Sequence, residues 1–223
     1  MATGSLFISN AIKSAAANVA IDVVGTEKYS APSTSDVSYT NITVGASANG
    51  LVAVVVLANN SSVAITGGTA VWDSGGSNQS MSLIAEETRN VGALELDTLV
   101  FGLRAPVSGN KTLKIHWGTG TNECFMSAMS FTGVNQVSDA AAFPNNAITI
   151  AGNVAVTSNT GHYVSGGGQA NTIGTITGTT IFSDSSSGSF INAAANYDVG
   201  ATPNVTMGIA SGACCYAVID VSP

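Results

Sequence analysis

The sequence predicts an all-β domain, a two-sheet antiparallel β-sandwich of jelly-roll type over residues 18–223, preceded by an N-terminal arm or short helix over residues 1–17. Three observations predict it. Short β-branched and apolar runs recur along the chain, separated by Gly, Ser, Asn or Pro, as strands and their turns require. Several of these runs alternate polar and apolar residues with period two, the pattern of a half-buried strand. Helical periodicity is almost absent, so nothing suggests crossover helices.

The elements follow in order. Val19–Val24 is the first strand. Val37–Val44 alternates, with Val37, Tyr39 and Asn41 on one face and Ser38, Thr40 and Ile42 on the other. Leu51–Leu57 is apolar on both faces and reads as a central strand covered on both sides. Ser62–Thr66 is read as a strand broken by Gly67-Gly68, which leaves Trp72 on a loop. Ser80–Glu87 and Leu94–Leu103 come next, and the cluster Ala105–Asn110 is a turn. Lys111–Trp117 places Leu113, Ile115 and Trp117 on one face, and Cys124–Phe131 follows. The second half carries Ala147–Ala151, Val154–Thr157, His162–Ser165, Thr175–Phe182, Phe190–Tyr197, Val205–Ala210 and Ala213–Val221. In the last of these Cys215, Ala217, Ile219 and Val221 share a face. Only Ile8–Ala20 has a helical pattern, weakened by Asn, Ser and β-branched residues. About a dozen strands favour a two-sheet jelly roll.

Composition excludes several classes of function. Hydrophobic residues make up 45% and charged residues 9%, against about 25% charged in an average domain. The core is therefore well supplied and the surface is built from Ser, Thr, Asn and Gly. Net charge is −7, with six Lys and Arg scattered along the chain. Phosphate neutralisation needs clustered cations, so no nucleic-acid partner and no acidic membrane surface are expected. The longest apolar run, Leu51–Ala58, is well short of the roughly 18 residues of a spanning helix. The first ten residues lack the basic and apolar regions of a secretory signal. The expectation is that the chain stays inside the cell that makes it or leaves by another route, of which release by lysis is one.

Candidate chemistry is sparse. His116 sits on the polar face of its strand, and His162 stands beside Gly166-Gly167-Gly168, read as a loop that lacks the Lys-Ser/Thr of a phosphate cradle. Glu86 and Glu87 point to opposite faces. Glu95 and Asp97 share one, read as a solvated strand face without a cleft. Asp73 could lend oxygens to a cation, but its spacing matches no established loop. No catalytic residue, cofactor or metal site is expected. Trp117 belongs with the core, which leaves Trp72 as the candidate for stacking on a sugar. The three cysteines, Cys124, Cys214 and Cys215, are either buried thiols or form one bridge from Cys124 to the Cys214/Cys215 pair, which requires neighbouring strands.

One block is distinctive. Residues 99–117, LVFGLRAPVSGNKTLKIHW, are followed by Ala128-Met129-Ser130-Phe131-Thr132-Gly133-Val134-Asn135-Gln136. A strand ends at a Pro-x-Ser-Gly turn, a Thr-x-x-Ile-x-Trp strand follows, and a Ser-Phe-x-Gly-Val-x-Gln strand end closes the block. This resembles the jelly-roll, concanavalin-like domain of tailed-phage structural proteins and bacterial surface proteins. Taken with the lack of a catalytic constellation, the lack of a secretory signal and the small-polar, low-charge surface, the resemblance leads to the expectation of a non-enzymatic virion structural protein of the capsid-decoration or head-fibre type. Such a protein would lie on the particle surface, form a homo-oligomer and attach to the major capsid protein or other virion proteins through the arm or a sheet edge. The alternative is a glycan-binding module of a tail fibre or cell surface. Pro106 fixes a turn φ, and Gly133 permits a sharp exit after Phe131.

Overall fold

The computed structural model describes residues 18–31, 35–60, 65, 67–118, 123–149, 153–157, 162–169, 173–176, 179–184, 192–199, 204–209 and 214–223. The expected arm at 1–17, most of the helical stretch Ile8–Ala20 and all of Ser62–Thr66 except Ile65 lie outside them.

The first nine strands are β1 (Ala20–Val24), β2 (Lys28–Ser30), β3 (Asp36–Val44), β4 (Gly50–Asn59), β5 (Gly68–Trp72), β6 (Gln79–Val91), β7 (Leu94–Arg104), β8 (Gly109–Trp117) and β9 (Glu123–Thr132). They form one antiparallel sheet in the order β1-β9-β4-β7-β6-β5-β8-β3, with β2 also on β9. The sheet rolls up around an inner core that takes Tyr39 from β3, Leu51 and Val55 from β4, Trp72 from β5, Phe101 from β7 and Trp117 from β8. Rolling brings β3 back towards β1 and β9. The Tyr39 hydroxyl donates to the Cys124 carbonyl at 3.1 Å, and the Gly45 amide donates to Asp22 of β1 at 2.8 Å. Asp22 also accepts from Ser130 of β9 at 2.7 Å. The sheet is thus nearly closed.

The remaining elements are α1 (Asp139–Ala142), β10 (Asn145–Thr149), β11 (Asn153–Thr157), β12 (His162–Gln169), β13 (Ile173–Ile176), β14 (Thr179–Asp184), β15 (Asn192–Val199), β16 (Asn204–Ile209) and β17 (Cys214–Asp220). A second sheet runs β10-β17-β12-β15-β14, and a third β11-β16-β13. The second sheet covers the outer face of the rolled sheet, over β4, β7 and β6. Between them lies a further core, with Val52, Val54 and Val56 of β4 against Val164, Ala195, Cys215 and Ile219. The all-β antiparallel expectation holds, and the sandwich gains a layer. β4 is apolar at nearly every position because Leu51, Ala53, Val55 and Leu57 face one core while Val52, Val54, Val56 and Ala58 face the other. Cys215, Ala217, Ile219 and Val221 do share one buried face.

Four expectations need correction. The alternation in β3 breaks at Asn41, which is exposed, because Tyr39 pairs with Leu113 and Ile42 with Lys111. Two residues of β3 therefore stand against one of β8, a β-bulge, and Asn41 takes φ +61°. The bulge keeps Tyr39 and Ile42 both inward. Gly68 opens β5 instead of ending a strand, so Trp72 lies in a strand. Gly166–Gly168 lie inside β12. There Gly167 pairs with Tyr216 of β17, and a Cβ at 167 would overlap the Tyr216 ring, so the glycine makes room for an aromatic neighbour. Thr175–Phe182 is divided between β13 and β14. The turn block fares better. Gly133 has φ +73° and a Cβ there would run into the Asn18 carbonyl, and the turn after β7 uses positive φ at Ala105 (+47°) and Gly109 (+107°).

Candidate functional site

A polar groove lies where β3, β5 and β8 meet at one rim of the rolled sheet. Its first wall is the loop that leaves β5 after Trp72, with sequence Asp73-Ser74-Gly75-Gly76-Ser77-Asn78. Asp73 sits at φ +52° and Asn78 at +51°, a left-handed backbone that Asp and Asn tolerate better than most residues. The loop is held by its own bonds. Asp73 accepts the Ser77 amide through Oδ2 at 2.8 Å, and its carbonyl accepts the Gly76 amide at 2.8 Å. Asn78 Oδ1 accepts the Gly75 amide at 2.9 Å. The Ser74 amide donates to Thr112 of β8 at 3.0 Å and fixes the loop to the sheet. A side chain at Gly76 would run into the Asp73 carboxylate, so the loop needs glycine there.

The opposite wall is the β3 bulge, with Thr40 and Asn41, and the floor comes from Asn110, Lys111 and Thr112 of β8. The groove has a volume of about 520 Å³ and opens to solvent. Its one charged pair is Lys111 Nζ with Asp73 Oδ1 at 3.5 Å. The Ser77 amide and hydroxyl, and then the Lys111 ammonium, hold the Asp73 carboxyl below its usual range. The groove therefore presents an ionised carboxylate and an ammonium of no net charge among neutral amides and hydroxyls.

A second feature lies on the other side of Asn41. Where the sheet stops short of closing, a slot of about 200 Å³ runs between Val23–Lys28 on one side and Asn41–Thr43 on the other, with Met126 and Ala128 at its base. Among the described residues β3 pairs only with β8, and β1 and β2 pair only with β9. Two strand edges therefore face the slot.

The residues singled out in the sequence are dispersed. Trp72 is fully buried in the inner core, and its indole N–H donates to the Val107 carbonyl at 2.8 Å. The Ala105–Ser108 turn is pinned over it by Gln79, which accepts the Val107 amide at 2.7 Å. Trp72 thus presents no face to a sugar. Cys124 and Cys215 are buried, and neither is in a disulfide. They point into different cores, on opposite sides of the β9-β4-β7 wall, so the proposed bridge from Cys124 is not formed. Burial pushes the Cys124 thiol up to about 12, which makes it inert. The Cys215 thiol lies 3.2 Å from the Thr98 hydroxyl, which donates to the Cys215 carbonyl at 3.0 Å. The Cys214 side chain lies outside the described residues, as does that of His162. Trp117 is in the core as expected.

Glu95 and Asp97 are not a solvated face. Both are buried, because β7 sends its odd-numbered side chains towards the inner core. Asp97 accepts from Thr88 at 3.1 Å, while Glu95 Oε2 and Asp97 Oδ2 have no hydrogen-bond partner. Burial, with Glu86 and Glu95 nearby, raises the Asp97 pKa to about 8. His116 is exposed, with Nδ1 3.0 Å from Asp36, which also meets Lys114 at 3.2 Å. Among the described residues no three His, Cys, Asp or Glu side chains form a metal-binding group. The groove escaped sequence reasoning because its walls come from three strands distant in sequence. Its one local signal was the Asp-Ser-Gly-Gly-Ser-Asn run, which marks a tight turn.

No family model, curated protein or solved structure matches this chain.

Proposed function

We propose that the protein is a non-enzymatic virion structural protein, of the capsid-decoration or head-fibre type and of the jelly-roll class that residues 99–136 resemble. It attaches to the major capsid protein and assembles as a homo-oligomer on the particle surface. The observation that carries this reading is the slot across which, among the described residues, β3 forms no ladder with β1 or β2, with the apolar Met126 at its base. Free edges are templates for pairing with another chain, and an added strand gains main-chain hydrogen bonds from them. A rigid rolled sheet with such an edge suits adhesion. The low-charge, Ser/Thr/Asn-rich surface suits a position facing solvent.

The test places one lysine on each side of the slot, in Thr26→Lys/Thr43→Lys; both threonines are exposed. Edge lysines oppose strand addition. The expected result is a fold as stable as the parent, with occupancy on purified particles reduced at least tenfold by quantitative mass spectrometry against the shell protein. Parental occupancy would reject edge attachment. Absence of the parent protein itself from the particles would reject the virion reading.

A second reading, a glycan-binding module, is favoured by the polar groove beside Asp73, with Trp72 excluded as its platform.

A further inference from the structure

We propose that the groove between the Asp73 loop and the β3 bulge is a binding site for a neutral saccharide, one or two rings in extent. This rests on the glycan-binding reading and does not depend on attachment to a particle.

The first argument is chemical. A sugar ring offers hydroxyls that both donate and accept, and it is met best by a mixed set of polar groups. Thr40 and Ser74 supply hydroxyls, Asn41 and Asn110 supply amides, Asp73 accepts, and Lys111 donates. Asp73 and Lys111 cancel in charge at 3.5 Å, so the groove has no net attraction for an anion or a cation. That selects a neutral ligand over sialylated, sulfated or phosphorylated ones. The volume of about 520 Å³ lies inside the range of about 300–1,000 Å³ common to small-ligand sites.

The second argument is preorganisation. Asn41 and Asp73 come from different strands, both are non-glycine residues in the left-handed region, and both line this one groove. Such backbone costs of order 1–3 kcal/mol per residue and persists where the surroundings enforce it, with a bias towards ligand sites. Here the β8 strand enforces both. It pairs with β3 across the bulge and holds the Ser74 amide. The backbone that carries the polar groups is therefore fixed before a ligand arrives, which lowers the entropy lost on binding. With Trp72 buried below, no ring is available for stacking, so hydrogen bonds alone set the affinity. A Kd on the order of 0.1–1 mM is expected.

The experiment is a printed array of neutral glucose-, galactose- and N-acetylglucosamine-containing oligosaccharides, with sialylated and sulfated glycans on the same slide. The strongest neutral disaccharide is then titrated by ligand-observed NMR. Asn110→Ala and Lys111→Met should each weaken binding at least fivefold with unchanged thermal unfolding, and Asn41→Gly, which keeps the bulge, should do the same. If neutral sugars bind and all three variants bind like the parent, the groove assignment is wrong and the glycan reading survives elsewhere on the molecule. Binding confined to acidic glycans overturns the neutral class. No binding to any glycan at millimolar concentration overturns both the site and the reading it rests on.

Discussion

Asp97 shows how little of a residue's setting follows from its neighbours in sequence. Glu95 and Asp97 look like a solvated strand face, yet β7 is flanked by β4 and β6, and both carboxyls are buried. With its pKa raised to about 8 by desolvation and by Glu86 and Glu95, Asp97 holds a proton in the folded chain that the unfolded chain releases near pH 4. The folded state thus binds more protons between about pH 4 and pH 8, and stability falls with rising pH across that window and levels above it. Asp97→Asn keeps the oxygen that accepts from Thr88 and removes the titration. The variant should gain about 1–3 kcal/mol over the parent at pH 9 and show a flatter profile. Urea unfolding at pH 5, 7 and 9 measures this, and parallel profiles for the two proteins would contradict it.

At the scale of elements, the short helix α1 joins the rolled sheet to the second sheet. Ser138 caps it by accepting the Ala141 amide at 3.1 Å. Asp139 in its first turn accepts from Arg104 Nε at 2.8 Å and from the Ser82 hydroxyl at 2.6 Å, while Arg104 also donates to the Gln136 carbonyl. One carboxylate therefore ties β6, β7 and α1 at the point where the chain leaves the rolled sheet. Asp139→Ala should cost about 1–3 kcal/mol in chemical unfolding, and Arg104→Ala/Asp139→Ala should cost less than the two single changes added together. Additive costs would mean that the pair is not coupled. Strands were legible wherever the pattern was local: the doubly apolar Leu51–Leu57, the alternating Lys111–Trp117, and the Gly133 exit after Phe131. What was not legible depended on partners distant in sequence. The bulge at Asn41 is set by the register on β8, and Trp72 looks like a loop residue because Gly67-Gly68 resembles a strand end. Gly166–Gly168 looked like a loop because nothing nearby discloses that Tyr216 lies across them. The groove is the extreme case, since Asn41, Asp73 and Lys111 meet only after three strands have paired.

Across the whole molecule, the β9-β4-β7 wall separates the two cores, and this decides the redox behaviour. Cys124 and Cys215 are on opposite sides of the wall and neither is in a disulfide, so no crosslink between these two holds the cores together. Thermal unfolding with and without a phosphine reductant should give the same midpoint within about 1 °C, well inside the 2–4 °C that 1 kcal/mol moves a domain of this size. A clear drop on reduction would mean that a bridge forms after all.

The same wall joins the fates of the two cores. Because β4 turns Leu51, Val55 and Leu57 one way and Val52, Val54 and Val56 the other, neither core can open without stripping one face of the strand the other depends on. The rolled sheet and the sheet laid over it therefore melt as one cooperative unit, with the amides of β4 the last in the protein to exchange with solvent.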